Sequence, residues 1–269
     1  MDGPDRTVGG ASRHAAGAAL GVTTGFAAGL IGVGGGEFRL PGLLYLLRDV
    51  RSTAAVNMVV GLATVTLSLA RRWSTLSATG DWLGLIGVFA VASALGSVTG
   101  VLGSRRFGSP TLRRVVQGYL IAVGLWMLFE AFTRTSHGIA IGPGLGRMAT
   151  AFGLGFAIAV VSGALGVAGG EMRIPVLHYL LGFSLVEAGT ISLAASIPTV
   201  AAGAIAYRRL GHLPGSVLGF AATVAAASLV GVLGGTAILS LVDRHTLKGL
   251  LGAILLLASL GLHRIRPGP

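Results

Sequence analysis

The chain of 269 residues contains no cysteine. It therefore forms no disulfide bond, cysteine-ligated zinc site, iron–sulfur cluster or thiol nucleophile. Charged residues are also scarce, at 11% of the chain against about 25% in a typical soluble domain. Because 53% of the residues are hydrophobic, a soluble particle of this size would expose too much apolar surface to water. The composition predicts a polytopic membrane protein with room for about eight crossings of roughly 20 residues each.

Basic residues exceed acidic ones and give a net charge of +11, but their placement does not favour nucleic acid as a partner. A nucleic-acid site gathers basic residues on one face of a domain. Here they occur as pairs between apolar runs, which is typical of loops that anchor membrane spans. The pairs are Arg71-Arg72, Arg105-Arg106, Arg113-Arg114 and Arg208-Arg209.

Apolar runs without charged residues predict an all-α fold, since membrane strands would need an alternation that is absent here. Two further apolar pieces, Leu40–Leu47 and Ile174–Leu181, are too short to span and suit half-helices or re-entrant segments. The eight long runs are Ala15–Gly36, Thr53–Ala70, Trp82–Gly103, Val115–Phe129, Met148–Gly170, Ala188–Tyr207, Leu213–Val242 and Leu250–Leu262.

A segment near the midpoint, residues 134–147, contains four glycines and a proline and is interpreted as a linker. It separates a first membrane repeat at 15–133 from a second at 148–263. Residues 1–14 are expected to be a short tail that enters the first span rather than a cleaved signal, and residues 264–269 a C-terminal tail.

The two halves contain a repeated segment. Residues 29–47 and 163–181 are identical at twelve of nineteen positions with an offset of 134, which predicts a duplicated unit of about four apolar segments. With four crossings per half, the basic loop residues divide evenly, ten and ten, between the two sides of the membrane. If each half instead has a re-entrant pair and three crossings, they divide twelve inside to six outside and the halves are inverted. The sequence leaves both topologies open, with eight helices as the default.

The repeated segment carries a glycine-proline motif that predicts a broken helix in each half. Neighbouring glycines destabilise a helix interior by about 1 kcal/mol each, and proline disfavours helix at the residue before it. We expect breaks at about residues 33–40 and 167–174, with half-helices that begin at the prolines. Freed backbone N–H groups and the positive N-terminal end of a half-helix favour the binding of an anion. The motif residues expected at this substrate site are Gly34, Gly35, Gly36, Pro41, Gly169, Gly170 and Pro175.

Charged residues stand inside both copies of the motif. Insertion of a charge into the bilayer costs at least ~2.5–3.5 kcal/mol, so a partner or a function is expected. Arg39 and Arg173 are expected to bind an oxyanion through forked hydrogen bonds. Glu37 and Glu171 are expected to balance that charge or accept a coupling proton. The alternative is that each Glu–Arg pair is an interfacial ion pair that only anchors a turn.

Polar residues inside the apolar runs complete the candidate site. Asn57, Ser192 and Ser196 are included as substrate-binding residues, although helix–helix hydrogen bonds are the more common role of such serines. The six histidines have no metal-ligand spacing and no phosphate-loop triplet is present, so the sequence predicts no metal, no cofactor and no nucleotide site. His178 is interpreted as a satisfied polar residue. Anchoring roles are expected for Asp81, Glu130 and Glu187.

The segments GLIGVGGGEFRLP and SGALGVAGGEMRIP resemble those of the sulfite exporter TauE/SafE family, also called the toluene-sulfonate uptake permeases. Many members of that family have apolar residues where this chain has the two glutamates and two arginines. The resemblance implies a multi-pass inner-membrane carrier, not an enzyme, that moves a small anion such as sulfite, thiosulfate or an organosulfonate by alternating access. Protons are the expected coupling ion, and a homodimer is allowed. The alternative function is an anion channel with the same arginines as its selectivity element.

Overall fold

The computed structural model describes residues 10–31, 34–74, 82–133, 141–142, 144–238 and 244–261, and these residues contain helices but no strand. A π-helical turn, Val176–Leu180, follows the seventh α-helix. The α-helices are α1 Gly10–Ile31, α2 Gly36–Leu47, α3 Val50–Ala70, α4 Leu83–Ser104, α5 Ser109–Phe132, α6 Leu145–Leu165, α7 Gly170–Pro175, α8 Leu185–Arg209, α9 Gly215–Ala237 and α10 Arg244–Gly261.

The prediction of an all-helical, multi-pass membrane protein is confirmed. Within the part of the chain that the structure describes, six helices are long and apolar enough to cross a bilayer: α3, α4, α5, α6, α8 and α9. The count of about eight spanning segments stays a prediction. Asp81 and most of the predicted linker lie outside the residues that the structure describes.

Side-chain caps fix where two of the helices begin. The Asp49 carboxylate accepts a hydrogen bond of 2.7 Å from the backbone N–H of Ser52 and caps α3. Ser184 and Glu187 form a reciprocal capping box at the start of α8. Glu187 therefore lies in the first turn of α8, where the helix dipole favours a carboxylate.

Two parallel helix pairs join the first half of the chain to the second. In one pair, the glycine face of α1 packs on α9, with Gly25 against the backbone of Ser228 and Gly29 against Val232. In the other, Gly96 and Gly100 of α4 pack on the backbone of α6. A side chain at these glycines would overlap the facing backbone, so both pairs depend on close packing of small residues. The two halves interlock through these contacts.

Helices α1 and α2 form an antiparallel hairpin. Gly42 of α2 packs against Leu20 of α1, and Gly35 lies against Ala28 near the tip of the hairpin. The hairpin therefore enters and leaves on one side of the bundle. We call this side the first face; it carries residues 48–49 and 210–214, because α1 runs parallel to α9.

Helices α6 and α7 form a second hairpin that opens toward the opposite side. The backbone N–H of Ile141, which precedes α6, donates to the carbonyl of Leu180 at 2.9 Å. Arg147 Nη2, in the first turn of α6, donates to the carbonyl of Leu181 at 2.8 Å. Both ends of this hairpin therefore lie together on the second face, with residues 181–184.

Helices α5 and α10 form an antiparallel pair at the side of the bundle, named here the lateral pair. Gln117 Nε2 donates to the Ser259 carbonyl at 3.2 Å, and at the other end Lys248 Nζ lies 2.7 Å from Glu130 Oε2. The pair covers both hairpins through one apolar cluster. From the hairpins, Leu30, Phe38, Leu40, Leu44, Leu165 and Val167 pack on Leu112, Val116, Leu120, Val123, Met127, Leu247, Leu251 and Leu255.

Candidate functional site

The tips of the two hairpins meet in the interior of the bundle. A Cβ atom placed on Gly34 would lie 3.2 Å from the Cβ of Ala168, and one on Gly36 would lie 3.6 Å from the Cα of Val167. The structure therefore brings together the two glycine segments that the sequence placed 134 positions apart.

Each half-helix begins directly after a glycine in the left-handed region. Gly35 has φ of 66° and precedes Gly36, the first residue of α2; Gly169 has φ of 73° and precedes Gly170, the first residue of α7. Non-glycine residues rarely adopt this backbone conformation. The motif therefore provides the turn at the tip of each hairpin.

The expected start of the half-helices at their prolines is wrong. Pro41 lies within α2, which continues to Leu47, and Pro175 is the last residue of α7. The left-handed glycines already start the helices, so the prolines fall in the second turn, where each removes one backbone hydrogen bond. After Pro175 the chain widens into the π turn, in which Leu181 N–H donates to the Val176 carbonyl at 3.2 Å.

Arg39 is fully buried and is held by three uncharged acceptors. Its Nε donates to Asn57 Oδ1 at 3.1 Å, its Nη1 to Ser228 Oγ at 3.2 Å and its Nη2 to the Gly34 carbonyl at 3.2 Å. The guanidinium thus links α2 to α3, to α9 and to the hairpin tip. Ser228 was missed from the sequence because it lies 189 residues away and differs little from the other serines of the spans.

Arg173 is also fully buried, and its contacts match those of Arg39 in part. Its Nη1 donates to the Ser192 carbonyl and to Ser196 Oγ, both at 3.0 Å. Its Nη2 donates to the Ala168 carbonyl at 3.1 Å and to Thr199 Oγ1 at 3.3 Å. The Nε of Arg173 has no acceptor among the described residues. A buried cationic donor without a partner is unusual.

A polar side chain also holds the first carbonyl of each half-helix. Asn57 Nδ2 donates to the Gly36 carbonyl at 2.9 Å, and Ser192 Oγ donates to the Gly170 carbonyl at 3.4 Å. Both residues are buried. The structure therefore places Asn57, Ser192 and Ser196 around the hairpin tips beside the arginines.

The two glutamates are buried, and neither forms an ion pair with the arginine two residues away. Glu37 is 1% exposed, and its Oε1 accepts a hydrogen bond of 3.2 Å from the hydroxyl of Tyr119. Glu171 is 5% exposed, and its Oε1 has no partner among the described residues. The interfacial ion pairs of the alternative interpretation are thus absent at these four described residues. Sequence reasoning missed Tyr119, which comes from a helix 82 positions away.

Two other residues with expected roles lie away from the hairpin tips. Glu130, for which an anchoring role was expected, forms the ion pair with Lys248 inside the lateral pair. His178 Nδ1 lies 2.6 Å from the Phe183 carbonyl and is a satisfied polar residue, as expected. Within the described residues, no group of three or more His, Asp or Glu side chains is arranged to hold a metal ion.

Comparison with known proteins gives one match. The model of the family described as sulfite exporter TauE/SafE matches residues 17–262, which is nearly the whole chain. No curated protein and no solved structure matches the chain.

Proposed function

We infer the function of this protein from one premise: the chain belongs to the sulfite exporter TauE/SafE family of membrane transporters. We propose that it is a secondary carrier in the inner membrane that moves a small anion such as sulfite, thiosulfate or an organosulfonate. No ATP-binding motif occurs in the sequence, so an ion gradient, with protons as the coupling ion, is the proposed energy source.

The proposed anion site lies where the two hairpin tips meet. The observation that carries it is the pair of fully buried arginines at those tips, with Arg173 Nε left without an acceptor among the described residues. Glu37 acts electrostatically on both guanidinium groups, but neither forms an ion pair with a carboxylate among the described residues, so both contribute positive potential to a low-dielectric interior. The first N–H groups of α2 add to that potential. Asn57, Ser192 and Ser196 would complete the site by holding the tips in place.

We further propose that the halves are homologous repeats of inverted topology. Two hairpins that open on opposite faces are what such a duplication produces. With three crossings per half, the basic loop residues divide twelve to six in favour of the first face, which favours a cytoplasmic location for that face. Alternating access by rocking one half against the other is disfavoured by the interlocked α1–α9 and α4–α6 pairs, so the proposed movement involves other helices.

Uptake of radiolabelled anion into proteoliposomes tests the proposed site. We expect Arg39→Gln and Arg173→Gln to remove saturable uptake while the protein is still expressed and inserted. Arg208→Gln, which changes an exposed arginine at the end of α8, is the matched control and should transport normally. Normal kinetics in both buried-arginine variants would contradict the site.

The same vesicles separate a carrier from a channel. A proton-coupled carrier saturates with substrate and changes the internal pH, whereas flux through a channel follows the imposed voltage. A thermal-shift screen with sulfite, thiosulfate, sulfoacetate, taurine and sulfate identifies the anion. The true substrate should raise the melting temperature of the wild type and have less effect on Arg173→Gln.

A further inference from the structure

The lateral pair differs from the other helices in how it meets the rest of the protein. Its glycine contacts join its two members, Gly124 of α5 to Gly252 of α10. Against the hairpins it presents leucine, valine and methionine side chains rather than interlocked backbone. Side-chain contacts of this kind slide and re-form at lower cost than a backbone-to-backbone seam. The lateral pair is therefore the element of the described structure best suited to move.

A hydrogen bond joins the lateral pair to the first hairpin tip. The Tyr119 hydroxyl on α5 donates to Glu37 Oε1 at 3.2 Å, and both residues are buried. Arg39, Arg173 and Glu171 are the other charged groups that interact electrostatically with Glu37. A hydrogen bond to an ionised acceptor is about twice as strong as one between neutral groups. The strength of this hydrogen bond therefore depends on whether the Glu37 carboxyl carries a proton.

The second hairpin tip faces the same pair. The charged groups that act on Glu171 are Glu37, Lys248 and Glu130, of which the last two belong to the lateral pair. Lys248 pairs with Glu130 at 2.7 Å inside the lateral pair, and Glu171 Oε1 is buried without a partner among the described residues. The side-chain hydrogen bond that joins the lateral pair to a hairpin tip is therefore the one between Tyr119 and Glu37.

We propose that the lateral pair is a gate over the hairpin tips, and that Tyr119 is a positioning residue that responds to the charge of Glu37. The proposal rests on the proposed function, in which protons are the coupling ion, and it assigns the uptake of a proton to Glu37. When Glu37 is ionised, the Tyr119 hydrogen bond holds the lateral pair against the first tip. When Glu37 takes a proton from solution, this hydrogen bond weakens. The tips then become accessible.

A native reporter lies at this interface. Trp126 of α5 packs edge-on against Tyr179 of the π turn, with ring centroids 6.3 Å apart. The chain has three tryptophans, so the variant Trp73→Phe/Trp82→Phe retains Trp126 as the sole emitter. Its fluorescence reports separation of α5 from the second hairpin without any need for substrate or transport.

The experiment records Trp126 emission and its quenching by acrylamide in nanodiscs between pH 4 and pH 9, with no substrate present. In this background we expect a single transition on acidification, toward red-shifted and more strongly quenched emission. Glu37→Gln should leave a smaller transition, or none. Tyr119→Phe should move the midpoint to higher pH by roughly one unit, because it removes a hydrogen bond that stabilises the carboxylate.

Tyr207→Phe is the matched control. Tyr207 is equally buried, but its hydroxyl donates to the carbonyls of Gly163 and Ala164 rather than to a carboxylate. Tyr207→Phe should leave the pH midpoint of the fluorescence transition unchanged. A flat pH response in the background protein, or equal shifts in Tyr119→Phe and Tyr207→Phe, would overturn the gate. Because this readout needs no anion, an intact pH response together with normal uptake by the Arg39 and Arg173 variants would reject the proposed anion site but not the gate.

Discussion

Asn57 connects to Arg39 through a hydrogen bond of 3.1 Å from the guanidinium Nε to the amide Oδ1. The same amide donates from Nδ2 to the carbonyl of Gly36, where the half-helix begins. One side chain on α3 therefore fixes both the buried charge and the start of α2. In the second half, Ser192 holds the matched carbonyl of Gly170, while Arg173 contacts the Ser192 backbone instead.

Replacement of this amide should destabilise the first hairpin tip. Asn57→Leu leaves the Arg39 Nε buried without its acceptor, at a cost of about 1–3 kcal/mol, and removes the side-chain donor to the Gly36 carbonyl. We expect a lower melting temperature in detergent and loss of anion uptake, with a smaller effect for Asn57→Ser. Thr66→Val, which removes an exposed hydroxyl from the same helix, is the control. Equal melting temperatures for Asn57→Leu and Thr66→Val would show that the amide has no structural role.

The sequence predicted those parts of this site that depend on local chemistry. Runs of glycine break a helix wherever they occur, so the two breaks and the buried charges beside them follow from residues 32–41 and 166–175 alone. Their exact position did not follow, because the left-handed conformation of Gly35 and Gly169 starts each half-helix before its proline is reached.

Contacts between distant segments could not be predicted from the sequence. Ser228 reaches Arg39 and Tyr119 reaches Glu37 only because α9 and α5 pack beside the first hairpin. The sequence also did not predict the face on which each hairpin opens. The basic loop residues indicate the orientation of the protein in the membrane only after the number of crossings is known. That number depends on the glycine contacts between α1 and α9, which orient the first hairpin.

The left-handed glycines at the hairpin tips should not tolerate a side chain. A Cβ atom on Gly35 would lie 2.5 Å from that of Ala28, and one on Gly169 would overlap Ser162 Oγ. The left-handed conformation alone costs an alanine about 1–2 kcal/mol. We therefore expect Gly35→Ala and Gly169→Ala to lower the unfolding free energy by at least about 2 kcal/mol once the overlap is included. Thermal unfolding in detergent measures this change in unfolding free energy.

Gly87 offers the matched control for those variants. It lies inside α4, and a Cβ atom there meets nothing within 4 Å. Gly87→Ala should be neutral or stabilising by up to about 1 kcal/mol, because alanine favours the helix. A loss of stability at Gly87 equal to that at Gly35 would mean that the effect is general to glycine in this protein.

The ion pair inside the lateral pair should contribute measurably to stability. Lys248 and Glu130 are 19% and 7% exposed, so neither charge is well solvated when its partner is removed. In a double-mutant cycle of Lys248→Met and Glu130→Gln, the coupling energy should be about 0.5–3 kcal/mol in favour of the pair. Lys248→Met alone should cost more than the double variant, since it leaves a buried carboxylate unpaired. A coupling energy near zero in thermal or denaturant unfolding would show that the contact is only incidental.

The proposed three-crossing arrangement predicts which residues share a side of the membrane. Helices α1 and α2 are antiparallel and α2 returns toward the start of α1, so under this proposal we expect the ends of the hairpin to face the same compartment. The chain has no cysteine, so single-cysteine variants can be labelled without background. We expect Ala11→Cys and Arg48→Cys to react with an impermeant maleimide from one side of oriented vesicles, and Leu145→Cys from the other. All three positions are exposed. If α1 instead crossed the membrane alone, Ala11→Cys and Arg48→Cys would label from opposite sides, and the three-crossing arrangement of each half would be rejected.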